Sequence, residues 1–465
     1  MFAVTFWLGV PLKNINHFKH IPMTRLFFFV FLSLTAFLLY SCDPEDLITF
    51  NVDTNADHQD TNPGDDICQG PRGCSLRAAL QEAAAGTKKD ITINLPSGTY
   101  LLDLDRDELV VEGKLIKIRG GGMENTVIDA RESSRVMSIN SGIVSVTDVT
   151  LQNGETNSFN GGGVYIDSTA LVTMDRVAIR NCKSLFQGGG LYIRNGANVV
   201  LRKVLIADNE TGKGGGGGGG GIMNRGNLTI ENSTIRGNVG GWSGGGISHA
   251  SGRLTLKSST VSNNQGPISG LNLFASATLS NVTVSGNQQL TDRSTYSGRA
   301  GVGVSIAKTT SMRNVTVTDN GNTLSNSSGN RDGGVRVVSG GTLYLQNSLI
   351  AENRQYDCLG SVTSRGNNLI GDASSATVST ASGDQLGTAS SPIDPTLGTL
   401  TNNGGTTQTH ALLAGSPAID AGSNLAPASD PAACLPEDQR GVERPKDGDG
   451  RLPNVCDIGA FELEP

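Results

Sequence analysis

Three groups of side chains have types and spacings that suit chemistry. Tyr165 and Tyr192 are the central residues of two matching phrases, GVYI and GLYI. In an extended chain their neighbours turn inward and these two turn outward. Asp167 lies two residues past Tyr165, Arg194 lies two past Tyr192, and Arg225 is the counterpart on the following repeat. Aromatic rings beside guanidinium groups suit sugar rings and carboxylates. The same rings would also serve as a ladder that only stiffens a repeating structure. A second group lies in PKDGDGRLPNVCDIG, where Asp447, Asp449 and Asp457 offer oxygens of the kind that bind Ca²⁺. That stretch lacks the glutamate and spacing of an EF-hand, so a plain acidic turn explains it equally. The third group is the seven cysteines. Cys68 with Cys74, and Cys434 with Cys456, are near enough in sequence to close small loops. Cys182 and Cys358 are left over, and Cys42 stands apart at the N-terminus.

No catalytic residue emerges from the same search. The acidic residues of 143–353 scatter over many positions. Asp175 and Glu231 share one outward column with Arg202 and Lys257, which reads first as a salt ladder. His249 is the only histidine in that stretch and His410 lies in the tail, with no nucleophile motif near either. Glycoside hydrolysis needs at least two suitably spaced carboxylates. A carboxylate cluster beside an arginine in a groove would favour an enzyme, and its absence would favour a binding protein.

These side chains hang on a repeat. Between 143 and 353 one phrase recurs, as in VTMDRVAIRN (172–181), LTIENSTIRGN (228–238) and LYLQNSLIAEN (343–353). Its inward position is Leu151, Ile179, Ile206, Ile235, Val261, Val284, Val317 and Ile350, at steps of 23 to 33 residues. Such steps mark a solenoid, propeller or array. Each copy holds short stretches of period two and no helical pattern. Three short strands per turn predict an all-β, right-handed parallel β-helix. Stacked about 4.8 Å apart, its coils pile Ile on Ile into an apolar column. Asn and Gly at the corners tolerate left-handed backbone, and Asn can bond to the Asn of the next coil.

The ends differ from this shaft. Leu26 to Leu39 is a short apolar run after Thr24-Arg25, and Leu39-Tyr40-Ser41-Cys42 follows. This predicts an export signal over 1–42, with Met23 as an alternative start. Residues 43–66 are acidic and polar and read as a linker. Ser75 to Ala85 reads as a capping helix, with Ser75 at its N-cap and Gly86 at its end. It opens a region, 67–142, of cap and irregular first coils. Beyond Asn353 the pattern fades. NNLIGD (367–372) still looks like a coil, 373–392 reads as a loop, and 354–465 closes the chain.

Charge limits the partners. The whole chain carries −7, but 143–353 holds 17 Lys/Arg against 11 Asp/Glu and the remainder is net −13. A modestly basic shaft between acidic ends is unlike a nucleic-acid protein. It suits an acidic glycan, and equally a solvated surface.

Several of these phrases carry a resemblance. GCSLRAALQEA (73–83) resembles the CSLREA-type opening of bacterial secreted β-helix proteins. The closing segments, among them DQRGVERP (438–445) and CDIGAFE (456–462), resemble the choice-of-anchor Q region that ends such proteins. The glycine-triplet and Asn coils between them resemble pectate-lyase-like solenoids and chlamydial polymorphic outer-membrane proteins. Leu39-Tyr40-Ser41-Cys42 resembles a bacterial lipobox, which implies lipidation at Cys42. The resemblance implies an exported protein, lipid-anchored at the outer membrane or cell surface, with secretion or an inner-membrane anchor as the alternative. A monomer is expected, and its expected partner is an extracellular or cell-wall polysaccharide. Binding or adhesion is the expected function. Lysis or hydrolysis of an acidic polysaccharide such as pectate is the alternative.

Overall fold

The computed structural model describes residues 46–104, 107–212, 218–289, 302–321, 333–448, 450 and 455–465. The compact unit from Ile48 to Pro465 is a right-handed parallel β-helix. Its strands pair in parallel with the strands one coil before and one coil after. Val164–Ile166, for example, lies between Met137–Ile139 and Leu191–Ile193.

The repeat phrase makes a strand that bends in the middle. Leu171–Arg180 alternates normally until Arg176, whose φ is +53°. This left-handed residue resets the phase, so Val172 and Met174 point inward before it and Val177 and Ile179 after it. Lys203, Asn232, Asn281 and Asn314 bend their own coils at the same register. The expected inward column, from Leu151 to Ile350, pairs coil on coil, and none of its members is more than 1% exposed.

The second corner explains the recurrent Asn. Asn181 and Asn263 take left-handed φ there and face outward, while the next residue in each copy faces in. Asn209, Asn238, Asn264, Asn287, Asn320 and Asn353 form a buried ladder. Each Nδ2 donates to the Oδ1 of the next rung at 2.9–3.0 Å, and each Oδ1 also accepts the preceding backbone N–H. Asp357 ends the ladder by accepting from Asn353. At the other end Cys182 replaces Asn, and its Sγ accepts the Gly154 N–H at 3.4 Å. A buried amide left without partners costs about 1–3 kcal/mol, so this column selects Asn strongly.

The glycine triplets follow for steric reasons. Gly161 and Gly188 have φ of +74° and +68°. A Cβ on Gly162 would sit 2.2 Å from the Lys183 carbonyl oxygen.

The N-terminal cap corrects the linker assignment. The chain over 48–66 packs into the same unit as the coil. Its acidic residues are spent on local bonds: Asp57 pairs with Arg77 at 2.7 Å, and Asp53 Oδ1 accepts the Cys74 N–H. The helix itself runs Leu76–Ala85, with the Ser75 side chain accepting the Ala78 N–H at 3.0 Å. Gly86 ends it in extended rather than left-handed backbone, at φ −64°.

The C-terminal end brings one more correction. Strands Ala376–Ser379 and Gln385–Leu386 lie within the stretch read as a loop, so the coil continues there. The closing region then returns along the outside of the coil as a belt. The outward threonines of successive coils meet it: Thr260 Oγ1 and Thr283 Oγ1 bond to Gln408 and Gln439, and Thr316 Oγ1 accepts the Ala460 N–H.

Both expected disulfides, Cys68–Cys74 and Cys434–Cys456, are present. Cys182 and Cys358 are free and buried, and burial pushes each thiol up to about 12. Among the described residues no helix is long and apolar enough to cross a membrane. Met23 and Cys42 lie outside the described residues.

Candidate functional site

The tyrosine pair is found in register, but it is not an open platform. The rings are parallel within 2°, with centroids 5.6 Å apart. Tyr192 is only 7% exposed, contrary to the outward and accessible position expected of it. The Arg135 guanidinium lies 5.1 Å from the Tyr165 ring centroid. Tyr165 therefore contacts Tyr192 and Arg135 rather than offering a clear face for a sugar. The other members of this group are also engaged. Asp167 accepts from the Tyr165 hydroxyl at 3.1 Å and pairs with Arg194 at 3.1 Å, and Arg225 donates to Gln187 at 3.2 Å. Burial, with Asp167 adding to it, raises the Tyr165 pKa.

Tyr165 does, however, form the edge of a groove of about 1090 Å³. Successive coils build it from the residues that precede their short strands. Asp107 and Glu108 stand before Leu109–Val111, and Glu132 to Arg135 stand before Met137–Ile139. Glu155 to Asn160 come before the first glycine triplet, and Phe186 before the second. The cap helix braces one wall, because Arg77 donates to the carbonyl oxygens of Asp107 and Glu108 at 2.8 and 3.0 Å.

Arg135 is the hub of the groove and is 8% exposed. It pairs with Glu108 at 2.5 Å and donates to the carbonyls of Gly161 and Asn160, each at 2.8 Å. Burial pulls its pKa below the usual guanidinium range, against the opposing pull of Glu108. Beside the lining, Lys183 pairs with Glu132 at 3.2 Å. That bond, with Glu155 and Glu210 adding to it, holds the ammonium above its usual value. Two apolar rings stay open to solvent: Phe159 is 67% and Phe186 37% exposed.

Most of the remaining candidates are accounted for locally; Asp447 is not, since its Oδ1 is buried without a partner. Asp457 turns inward and accepts the backbone N–H of Asp420 and Leu463; burial and the nearby Glu462 push it to about 7. Asp447 is half-buried and Asp449 lies outside the described residues. Among the described residues no three His, Cys, Asp or Glu side chains gather as a metal cage. The salt ladder has the expected register, and Glu231 pairs with Arg202 at 3.1 Å and Lys257 at 3.7 Å. Asp175 pairs with its neighbour Arg176 instead.

Neither histidine heads a triad. His249 is wholly buried, takes a bond from Asn224 and donates to the Ser276 carbonyl. His410 accepts from Ser285 at 2.8 Å through Nε2, but its Nδ1 donates to the Gly398 carbonyl rather than to a carboxylate. Both rings are held neutral by burial, which lowers their pKa. The groove itself, which sequence reasoning missed apart from Tyr165, draws on corner residues that do not recur. Its one available signal was the departure of Phe159 and Phe186 from the polar residues usual in loops.

Comparison with known proteins agrees on the fold. The family model described as a right handed beta helix region matches residues 134–320. Among solved structures, a pectate lyase aligns over 90% of this chain and 97% of its own, at 16% identity and a TM-score of 0.46. A pectin methylesterase variant, solved in complex with a hexasaccharide, aligns over 68% of this chain and 89% of its own, at 11% identity and a TM-score of 0.30. No curated protein matches. At these values neither structure transfers an activity or a site.

Proposed function

We propose that this is an exported, lipid-anchored cell-surface protein that binds polysaccharide in the groove beside Arg135. The observation that carries the reading is the combination of open rings and polar groups there. Phe159 and Phe186 offer apolar faces for sugar rings, and the surrounding carboxylates accept from sugar hydroxyls. The lipobox-like Leu39-Tyr40-Ser41-Cys42 and the CSLREA-type opening support export. The tail that resembles choice-of-anchor Q supports a place at the surface. We take the protein as a monomer, since the belt covers outward positions of the coil from within the same chain.

A second reading, a polysaccharide lyase or hydrolase, has one observation in its favour. Carboxylates do gather beside an arginine in a groove, which is the arrangement expected of an enzyme. Arg135 nevertheless holds its donors against two carbonyls and Glu108, so its guanidinium is committed to the wall. That commitment argues against Arg135 as the base of a lyase and supports the binding reading.

The deciding experiment is a panel of neutral, acidic and amino-sugar polysaccharides, assayed for binding and for cleavage together. Binding without new reducing ends or unsaturated products is expected. Phe159→Ala should weaken it by about 1 kcal/mol, in the range of single aromatic contacts. Steady product release from any member would move the reading to the enzyme. For the anchor, Cys42→Ser should transfer the protein from the membrane fraction to the soluble fraction; an unchanged distribution on fractionation would refute lipidation there.

A further inference from the structure

We infer that the groove takes a polysaccharide bearing protonated amino groups, an unblocked hexosamine polymer being the plainest case. This rests on the polysaccharide-binding reading above and names its substrate class. Charge is the first ground. The lining presents the carboxylates of Asp107, Glu108, Glu132 and Glu155 against the single guanidinium of Arg135. Arg135 is matched by Glu108, and Lys183 reaches in to Glu132. Asp107 and Glu155 form no ion pair among the described residues, so the groove retains negative charge at its open side. A uronate polymer would bring like charge against them, whereas an ammonium-bearing one would supply the missing partners. The acidic glycan expected from the net charge of the shaft is thus disfavoured at this site.

The second ground is an unmet hydrogen bond. Ser138 lines the groove one coil before Tyr165, in register with it, and is 2% exposed. Its hydroxyl has no partner. Buried polar groups are seldom left so, and a hydroxyl or amine of a bound sugar would satisfy this one. The third ground selects a sugar over a basic polypeptide. Met137–Ile139 pairs on both sides, with Leu109–Val111 and Val164–Ile166, while Leu109–Val111 and Glu155–Thr156 each pair on one side only. Those two edges are short and partly spent, the Glu155 N–H on the Ser134 carbonyl and the Asp107 and Glu108 carbonyls on Arg77, so they offer little for a peptide backbone to join. What the groove does offer is ring faces, at Phe159 and Phe186.

The test titrates the purified full chain with four probes: hexamers of glucosamine, N-acetylglucosamine and galacturonic acid, and a lysine-rich peptide. The glucosamine hexamer should bind tightest and weaken as salt rises. The double variant Asp107→Asn/Glu155→Gln should weaken it by about tenfold, or about 1.4 kcal/mol, and the N-acetylated hexamer by clearly less. Phe159→Ala should weaken both. Ser138→Ala removes a hydroxyl that has no partner in the free chain, so it should weaken glucosamine binding without lowering the unfolding temperature. Equal binding of the two hexosamine oligomers, untouched by the double variant, would overturn the amine inference and leave the glycan reading standing. Binding of none of the glycans would remove both. Tighter binding of the peptide than of any sugar would overturn the inference in favour of a polypeptide partner. Circular dichroism of each variant confirms that the coil is intact.

Discussion

The groove and the C-terminal belt are both made by irregular chain lying against a regular coil, yet they finish their polar groups differently. In the belt most partners come from the same chain, although the buried Arg444 Nε has none. The Gln439 amide donates to Thr260, Thr407 and Gln408, Arg444 pairs with Glu462 at 2.8 Å with both side chains fully buried, and Arg440 lies 3.7 Å from the Phe461 ring centroid. At the groove, two apolar rings stand in solvent, two carboxylates lack ion-pair partners and one buried hydroxyl is unbonded. Irregular segments alone do not mark a functional surface on a solenoid. What marks the groove is that its unmet groups line an open cavity, whereas the belt's unmet Arg444 Nε is sealed inside.

That contrast is testable first in the belt, where the largest effect is expected. Arg444→Ala leaves the Glu462 carboxylate buried without its cation, which costs about 3–5 kcal/mol. Protease should then cut the closing segments long before it cuts the coil. A variant as resistant as the wild type would mean that the belt is not held by this pair. A smaller loss is expected in the shaft. Asn264→Ala removes one rung of the amide ladder and strands the Asn238 amide and backbone groups, at about 1–3 kcal/mol. Amide exchange should quicken in the neighbouring coils and not at the groove.

The unequal legibility of these parts has physical causes. The coil could be read because inward Leu151, Ile179 and Ile235 recur with their strands, and because only a few residue types bear the left-handed corners. The salt-ladder register followed from the same spacing, and both disulfides from the nearness of their cysteines in sequence. The cap was misread over 48–66 because an Asp-rich stretch looks like a solvated linker. Only its contacts reveal that Asp53 and Asp57 serve the helix and its turn. The strands at 376–386 escaped notice because Ser and Thr dominate a coil that ends the stack and has less to bury. Tyr192 was placed correctly in register, but between Tyr165 and Met223 of the adjacent coils it keeps little exposed surface. The groove was hidden for a different reason. It joins residues from 107, 132 and 155 onward, one set per coil, at positions outside the repeat.

The smallest effect expected of the belt is its response to acid. Burial lowers the His410 pKa, and the ring accepts from Ser285 while Asp319 pulls the other way. The unfolded chain, with a value of about 6.5, therefore takes up the proton first. The contribution of neutral His410 is present above that pH and is lost as pH falls towards the folded value. His410→Gln should flatten this part of the stability profile relative to wild type, as read by thermal melts at stepped pH. Parallel profiles for the two proteins would show that the ring does not titrate with folding.

The groove itself is best tested by hydrogen–deuterium exchange of the full chain with and without the glucosamine hexamer. The account predicts added protection at 107–110, 132–140, 155–160 and 184–187, and none along the belt at 407–462. Protection confined to the belt, or no change at saturating hexamer, would contradict the assignment of the groove as the polysaccharide site.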